Sequence, residues 1–217
     1  MSTTTGGTAA DGGVNGAGDG TVNGAADRAG SGAAAWPATG VWELDPRHTS
    51  VQFTVQHLVV ARVRGRFDQV TGRFEVAEPA ERSRLSVTVE AAGVSSGVAR
   101  RDDHLRSPDF LHVEEFPTIT YTSEAVRLGR DGAFTIEGEL TVRGITRPVE
   151  LEARYLGTHS DGGVSLLAFS ATGSVNREDF GVTFNRALEA GGLAIGGQID
   201  IEVLVEALPE GTARHVL

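Results

Sequence analysis

The stretch Thr49-Ser50-Val51-Gln52-Phe53-Thr54-Val55-Gln56-His57 alternates without a fault. Val51, Phe53, Val55 and His57 fall on one face, and Ser50, Gln52, Thr54 and Gln56 on the other. Successive side chains of a strand point to opposite faces, so period two reads as a strand with one dry and one wet side. The pattern then recurs along the chain. It carries Leu85, Val87, Val89 and Ala91; Ile119 and Tyr121; Phe134, Ile136, Leu140 and Val142; and Val149, Leu151, Ala153 and Tyr155. Leu167, Phe169, Ala171 and Val175 continue it, and Ile199, Ile201, Val203, Val205 and Ala207 close the series.

The connections agree with that reading. Asp131-Gly132 and Asp161-Gly162-Gly163 sit between alternating runs, where tight hairpins need the positive φ that Gly supplies. Between Val63 and Val76 the apolar phase switches from odd (Val63, Phe67) to even (Phe74, Val76), which predicts a bulge or turn around Asp68–Thr71. One segment, Val98 to Ser107, has helical character, is rich in Arg and Asp, and is ended by Pro108. Seven or eight amphipathic antiparallel strands with one short helix form an all-β domain, either a closed barrel or a sandwich. Gly65, Gly72, Gly138 and Gly173 share the inward phase. They leave volume unfilled inside a barrel, or else they mark bulges and bends.

Composition divides the chain and removes whole classes of function. Residues 1–35 hold 19 Gly or Ala and no Leu, Ile, Phe, Trp or Tyr. Such a segment buries too little apolar surface to offset its ordering, so a disordered tail is expected there. The domain is expected over 36–210, with a short C-terminal tail at 211–217. The formal charge is −10, and all 19 basic residues are Arg. Nothing concentrates that positive charge, so no nucleic-acid partner is expected. The absence of Cys excludes thiolate catalysis, disulfides and Cys-based metal sites. No apolar run approaches the roughly 20 residues of a membrane span. The N-terminus lacks the apolar region of a secretory signal, so the expected compartment is the cytoplasm.

Several blocks between Gly40 and Ala207 resemble the YceI family. They are Asp45-Pro46-Arg47-His48, Val63-Arg64-Gly65-Arg66-Phe67 and Arg101-Asp102-Asp103-His104-Leu105-Arg106-Ser107 with Asp109-Phe110. Phe116-Pro117-Thr118-Ile119, the run Gly138 to Val149, Asn176-Arg177-Glu178-Asp179-Phe180-Gly181 and Asn185 to Gly192 complete the set. Leu111-His112 and Gly197-Gln198 depart from the family's usual residues. The resemblance implies an antiparallel up-and-down lipocalin-like β-barrel of about eight strands with one short helix. It also implies a binding protein for an isoprenoid lipid, such as a polyprenyl phosphate or an isoprenoid quinone.

With the inward phase, it makes Phe53, Val55, His57, Phe67, Phe74, Val87, Val89, Ile119, Tyr121, Phe134, Ile136, Leu140, Leu151, Phe169, Ile201 and Val203 the candidate ligand-binding residues. Arg101, His104 and Arg106 are the candidate head-group contacts, because Arg donates two parallel hydrogen bonds to phosphate oxygens. The bland account of that cluster is a capping and ion-pair network that anchors the helix. In the last block, Arg177 and Asp179 are candidates to pair. No cofactor and no metal are expected: His48 and His57, nine residues apart, take opposite faces. Catalytic signatures are absent, leaving as alternatives an enzyme with His57 or His104 as general base, a homodimer, or another protein-interaction module.

Overall fold

The computed structural model describes residues 36–58, 61–161, 163–187 and 193–212. The tail expected at 1–35 lies outside them, as do residues 213–217. Alternation at Val51–Val55 becomes β2 (Ser50–His57), which lies end to end with β1 (Gly40–Leu44) along one edge of β11 (Ile195–Pro209). Leu44 faces Ala207 and Ser50 faces Leu204 across that edge. In the same way β3 (Ala61–Phe67) runs into β4 (Val70–Val76), and β5 (Arg84–Glu90) into β6 (Val94–Ser95). Then follow β7 (Thr118–Leu128), β8 (Ala133–Val142), β9 (Ile145–Asp161) and β10 (Val164–Asn176). Counting the three split strands as single staves, eight antiparallel staves meander in chain order, and the β1–β11 pairing closes the barrel. The sandwich is thereby excluded.

The expected switch of phase is a break at Asp68–Gln69, between β3 and β4. The helix is α1 (Ala99–Arg106), within the predicted segment. Asp131 and Gly132 take φ of 54° and 73° in the β7–β8 hairpin, the doubly left-handed turn that a twisted hairpin favours.

Apolar packing is uneven along the barrel. At the end holding the β7–β8 turn, Trp42, Leu44, Phe74, Phe134, Tyr155 and Phe169 are buried in one cluster. Their rings meet edge-on: Phe74 lies 5.3 Å from Phe169, and Trp36 caps Phe134 at 5.1 Å. Towards the other end the inward side chains Val51, Phe53, Val55, Ile199, Ile201 and Val203 are only half-buried, because they face unfilled space.

The inward glycines do not supply that space, contrary to the first of the two readings given above. A Cβ on Gly65 would overlap the ring of Phe53, and one on Gly138 would come within 2.7 Å of the Tyr121 ring. Gly72 lies under Leu44 and Gly173 under Leu151. Each glycine lets a neighbouring strand's side chain lie flat across its backbone, so the hollow comes from the shape of the barrel.

Candidate ligand cavity

The unfilled space is a cavity of about 290 Å³. Its wall takes Val51, Phe53 and Val55 from β2, Phe67 from β3, Phe74 from β4, and Leu85, Val87 and Val89 from β5. Ile119 and Tyr121 of β7, Phe134, Ile136 and Leu140 of β8, Leu151 of β9 and Phe169 of β10 continue it, and Ile199, Ile201, Val203 and Val205 of β11 complete it. Leu105 of α1, with Phe110, Leu111, Phe180 and Val182, contributes from the loops at the hollow end. Every aromatic or aliphatic residue in the expected binding set therefore reaches the wall. The set's one imidazole does not. His57 is the last residue of β2, paired with Ala61 and Ile195, so inward parity there points past the cavity to the rim.

The wall is almost wholly carbon. Tyr121 turns its hydroxyl away, towards the carbonyls of Val149 (3.0 Å) and Ile136 (3.2 Å). Burial, with the charge of Glu150 added, pushes that phenol above its ordinary pKa, so it stays neutral.

Among the described residues Arg177 is the one charged side chain in the wall, and it is 5% exposed. Its Nε donates to Gly196 O at 2.9 Å, and its Nη1 to Val182 O at 2.6 Å and Phe184 O at 2.9 Å. Its Nη2 approaches Ile195 O at 3.5 Å and the Glu178 carboxylate at 3.9 Å. Burial lowers its pKa, and Glu178 opposes that shift. Only the stem of Arg177 serves the wall, while the guanidinium ties the loop after β10 to the first residues of β11. Its structural partners replace the Asp179 pairing considered from sequence. The inward parity of Gly173 and Val175, carried two residues further, was the signal that singles Arg177 out.

The candidate head-group residues are engaged around α1, and none lines the cavity. Arg101 Nε donates to Ser96 Oγ at 2.6 Å and its Nη2 to Ser96 O at 2.9 Å. Arg106 donates to the carbonyls of Ala92 (2.9 Å) and Val94 (2.8 Å), and to Asp103 at 3.2 Å. His104 Nε2 lies 2.8 Å from Asp109 Oδ2, with its ring set edge-on against Phe110 and Phe184. Asp102 accepts from the Ser96 hydroxyl and, at 2.7 Å, from the Ser96 N–H. The Ser96 hydroxyl is the largest influence on the Asp102 carboxyl. Together with the Ser96 N–H, Arg106 and Arg101 it outweighs burial and holds the pKa below the ordinary value. These bonds seat the helix against β6, because a carboxylate and two guanidiniums must find partners once the helix covers the hollow end.

The sequence model of the YceI-like domain matches residues 42–207, which contain every strand of the barrel except the two ends. The chain belongs to the YceI-like family. A UPF0312 protein of Staphylococcus aureus strain MSSA476 is 31% identical over 169 residues, covering 75% of this chain and 94% of that protein. Among solved structures, the YceI protein of Campylobacter jejuni superposes with a TM-score of 0.62 at 25% identity, over 71% of this chain and 90% of that one. BcnA of Burkholderia cenocepacia superposes at 0.65 with 15% identity, over 75% and 98%. A polyisoprenoid binding domain from Saccharophagus degradans does so at 0.55 with 12% identity, over 79% and 99%. The last two likenesses concern the YceI-like fold alone. Among the described residues no helix is long and apolar enough to cross a membrane.

Proposed function

We propose that this YceI-like barrel sequesters or carries an isoprenoid lipid, with the hydrocarbon inside the cavity and any polar end group outside it. The carbon wall carries this reading. A phosphate or quinone carbonyl placed within it would be desolvated without partners, whereas each buried CH₂ contributes about 0.8 kcal/mol. An engineered apolar cavity of about 150 Å³ takes one benzene. A space of 290 Å³ therefore takes on the order of a dozen carbons, or two to three isoprene units. Their burial contributes about 10 kcal/mol before the costs of ordering and association. A longer chain extends beyond the cavity. The neighbour described as a polyisoprenoid binding domain supports the ligand class.

An enzymatic reading needs a base facing the substrate, and neither His57 nor His104 belongs to the wall. Purified protein extracted with organic solvent should release an isoprenoid detectable by mass spectrometry, and the stripped protein should rebind farnesol. Finding neither would refute the proposal.

A further inference from the structure

The rim of the hollow end carries side chains that the cavity does not use. Leu58 follows β2 with a φ of 49° and is 45% exposed. A left-handed backbone strains a bulky residue, and Gly or Asn would hold this turn more easily. Leu193, 55% exposed, stands beside it, because the Leu58 N–H donates to Ala194 O at 2.9 Å. The Ala194 N–H in turn donates to Arg186 O at 2.9 Å. On the other side Ala61, next to Arg62, pairs with His57. One row thus runs Arg186, Leu193, Leu58, Arg62, all exposed. Among the described residues of this rim, 50–58, 61–67, 182–187 and 193–199 include no Asp or Glu, in a chain whose formal charge is −10, and Glu189 lies outside the described residues. The row adjoins the cavity, since Ile195 and Val55 are part of its wall.

We propose that this row docks on an anionic lipid bilayer and brings the hollow end of the barrel to the phase that supplies its ligand. The proposal rests on the lipid-binding reading above. Leu58 and Leu193 enter the boundary between head groups and acyl chains, and Arg62 and Arg186 meet the lipid phosphates. A second copy of the chain is a poorer occupant. A two-fold contact centred on the leucines would bring Arg62 and Arg186 of both copies together.

The test is flotation of the full chain with phosphatidylcholine vesicles, with and without phosphatidylglycerol. A basic residue near an anionic surface strengthens binding about fivefold. Arg62→Gln/Arg186→Gln should therefore weaken association with the anionic vesicles by roughly 25-fold, and leave that with the neutral ones unchanged. Leu58→Asn/Leu193→Ser should weaken both by about tenfold or more, at the scale of exposed apolar side chains entering the interface. Binding of dansyl-farnesol in vesicle-free buffer should match wild type in both variants, which also shows that they fold. Docking is overturned if wild type does not float with anionic vesicles, or if either double variant floats as well as wild type. It is also overturned if size-exclusion chromatography shows a wild-type dimer that the leucine variant dissociates. Failure of dansyl-farnesol binding in wild type would instead remove the lipid-binding reading, with flotation still deciding the docking.

Discussion

Val203→Phe is the sharpest probe of the cavity. Val203 sits mid-strand in β11, paired with Ala171 and Val51, and its half-buried side chain faces the hollow. The substitution places about four extra carbons in a space that takes about a dozen. At about 0.8 kcal/mol per carbon it displaces ~3 kcal/mol of ligand burial, or about 200-fold in affinity. Overpacking a filled core costs stability, but adding carbon to an empty apolar space gains contacts. The melting temperature should accordingly hold or rise while dansyl-farnesol affinity falls. Titration by fluorescence and thermal unfolding of the same preparations measure both. Unchanged affinity would show that the ligand does not lie in this space. A fall in melting temperature comparable to a core overpacking mutant would show that the space is not open to added carbon.

Other substitutions separate wall from scaffold. Gly138→Leu should destabilise by about 3 kcal/mol or more, seen in urea denaturation, because its Cβ would meet Thr122 O at 2.5 Å and the Tyr121 ring at 2.7 Å. Arg177→Met keeps the stem but leaves the carbonyls of Val182, Phe184 and Gly196 without their donor, so it should cost about 3 kcal/mol or more and should loosen amide protection at the start of β11. His104→Ala should leave dansyl-farnesol affinity within about twofold of wild type, since the imidazole bonds to Asp109 outside the wall. The Asp102 carboxyl is held below 3.8 when folded, so its contribution is fully present above that value and is lost as pH falls through the lower, folded pKa. The stability gap between wild type and Asp102→Asn should thus be constant near neutrality and close under acid conditions. A gap that persists at the acid end would contradict the assigned bonds.

Alternation made the wall legible because period two reports which side of a strand is dry. It did so from Val51 to Val205, with Phe, Val, Ile and Leu at most inward positions. Parity reports direction but not height, which is why His57 read as part of the wall and stands at its rim. Glycines at inward positions mark a missing side chain, and the sequence does not state what lies across them. Phe53 over Gly65 and Tyr121 over Gly138 are contacts between strands, set by stagger. The polar cluster at Arg101–Arg106 contains the residues a phosphate would want, yet the same residues are what a short helix needs to dock. Only distances separate those uses. The partners of Arg177 are hidden for a related reason, since they are carbonyls spread from Val182 to Gly196.

The three split staves break side by side. Asp45–Thr49 interrupts the first, Asp68–Gln69 the second and Ala91–Gly93 the third, and the Asp68 N–H bonds to Gly93 O across the gap. Together they draw a crease over one flank of the wall, between the aromatic end and the hollow end. At this crease the regular ladder is interrupted on three neighbouring strands at once, and the bond from the Glu90 N–H to Gln69 O joins that of Asp68 in spanning it. The lower panel of β2, β3 and β6 and the upper panel of β1, β4 and β5 thus each keep their own register, with β1 and β2 both laid on the unbroken β11. One flank of the bore is therefore built from short strands that meet end to end, and the other from five unbroken staves.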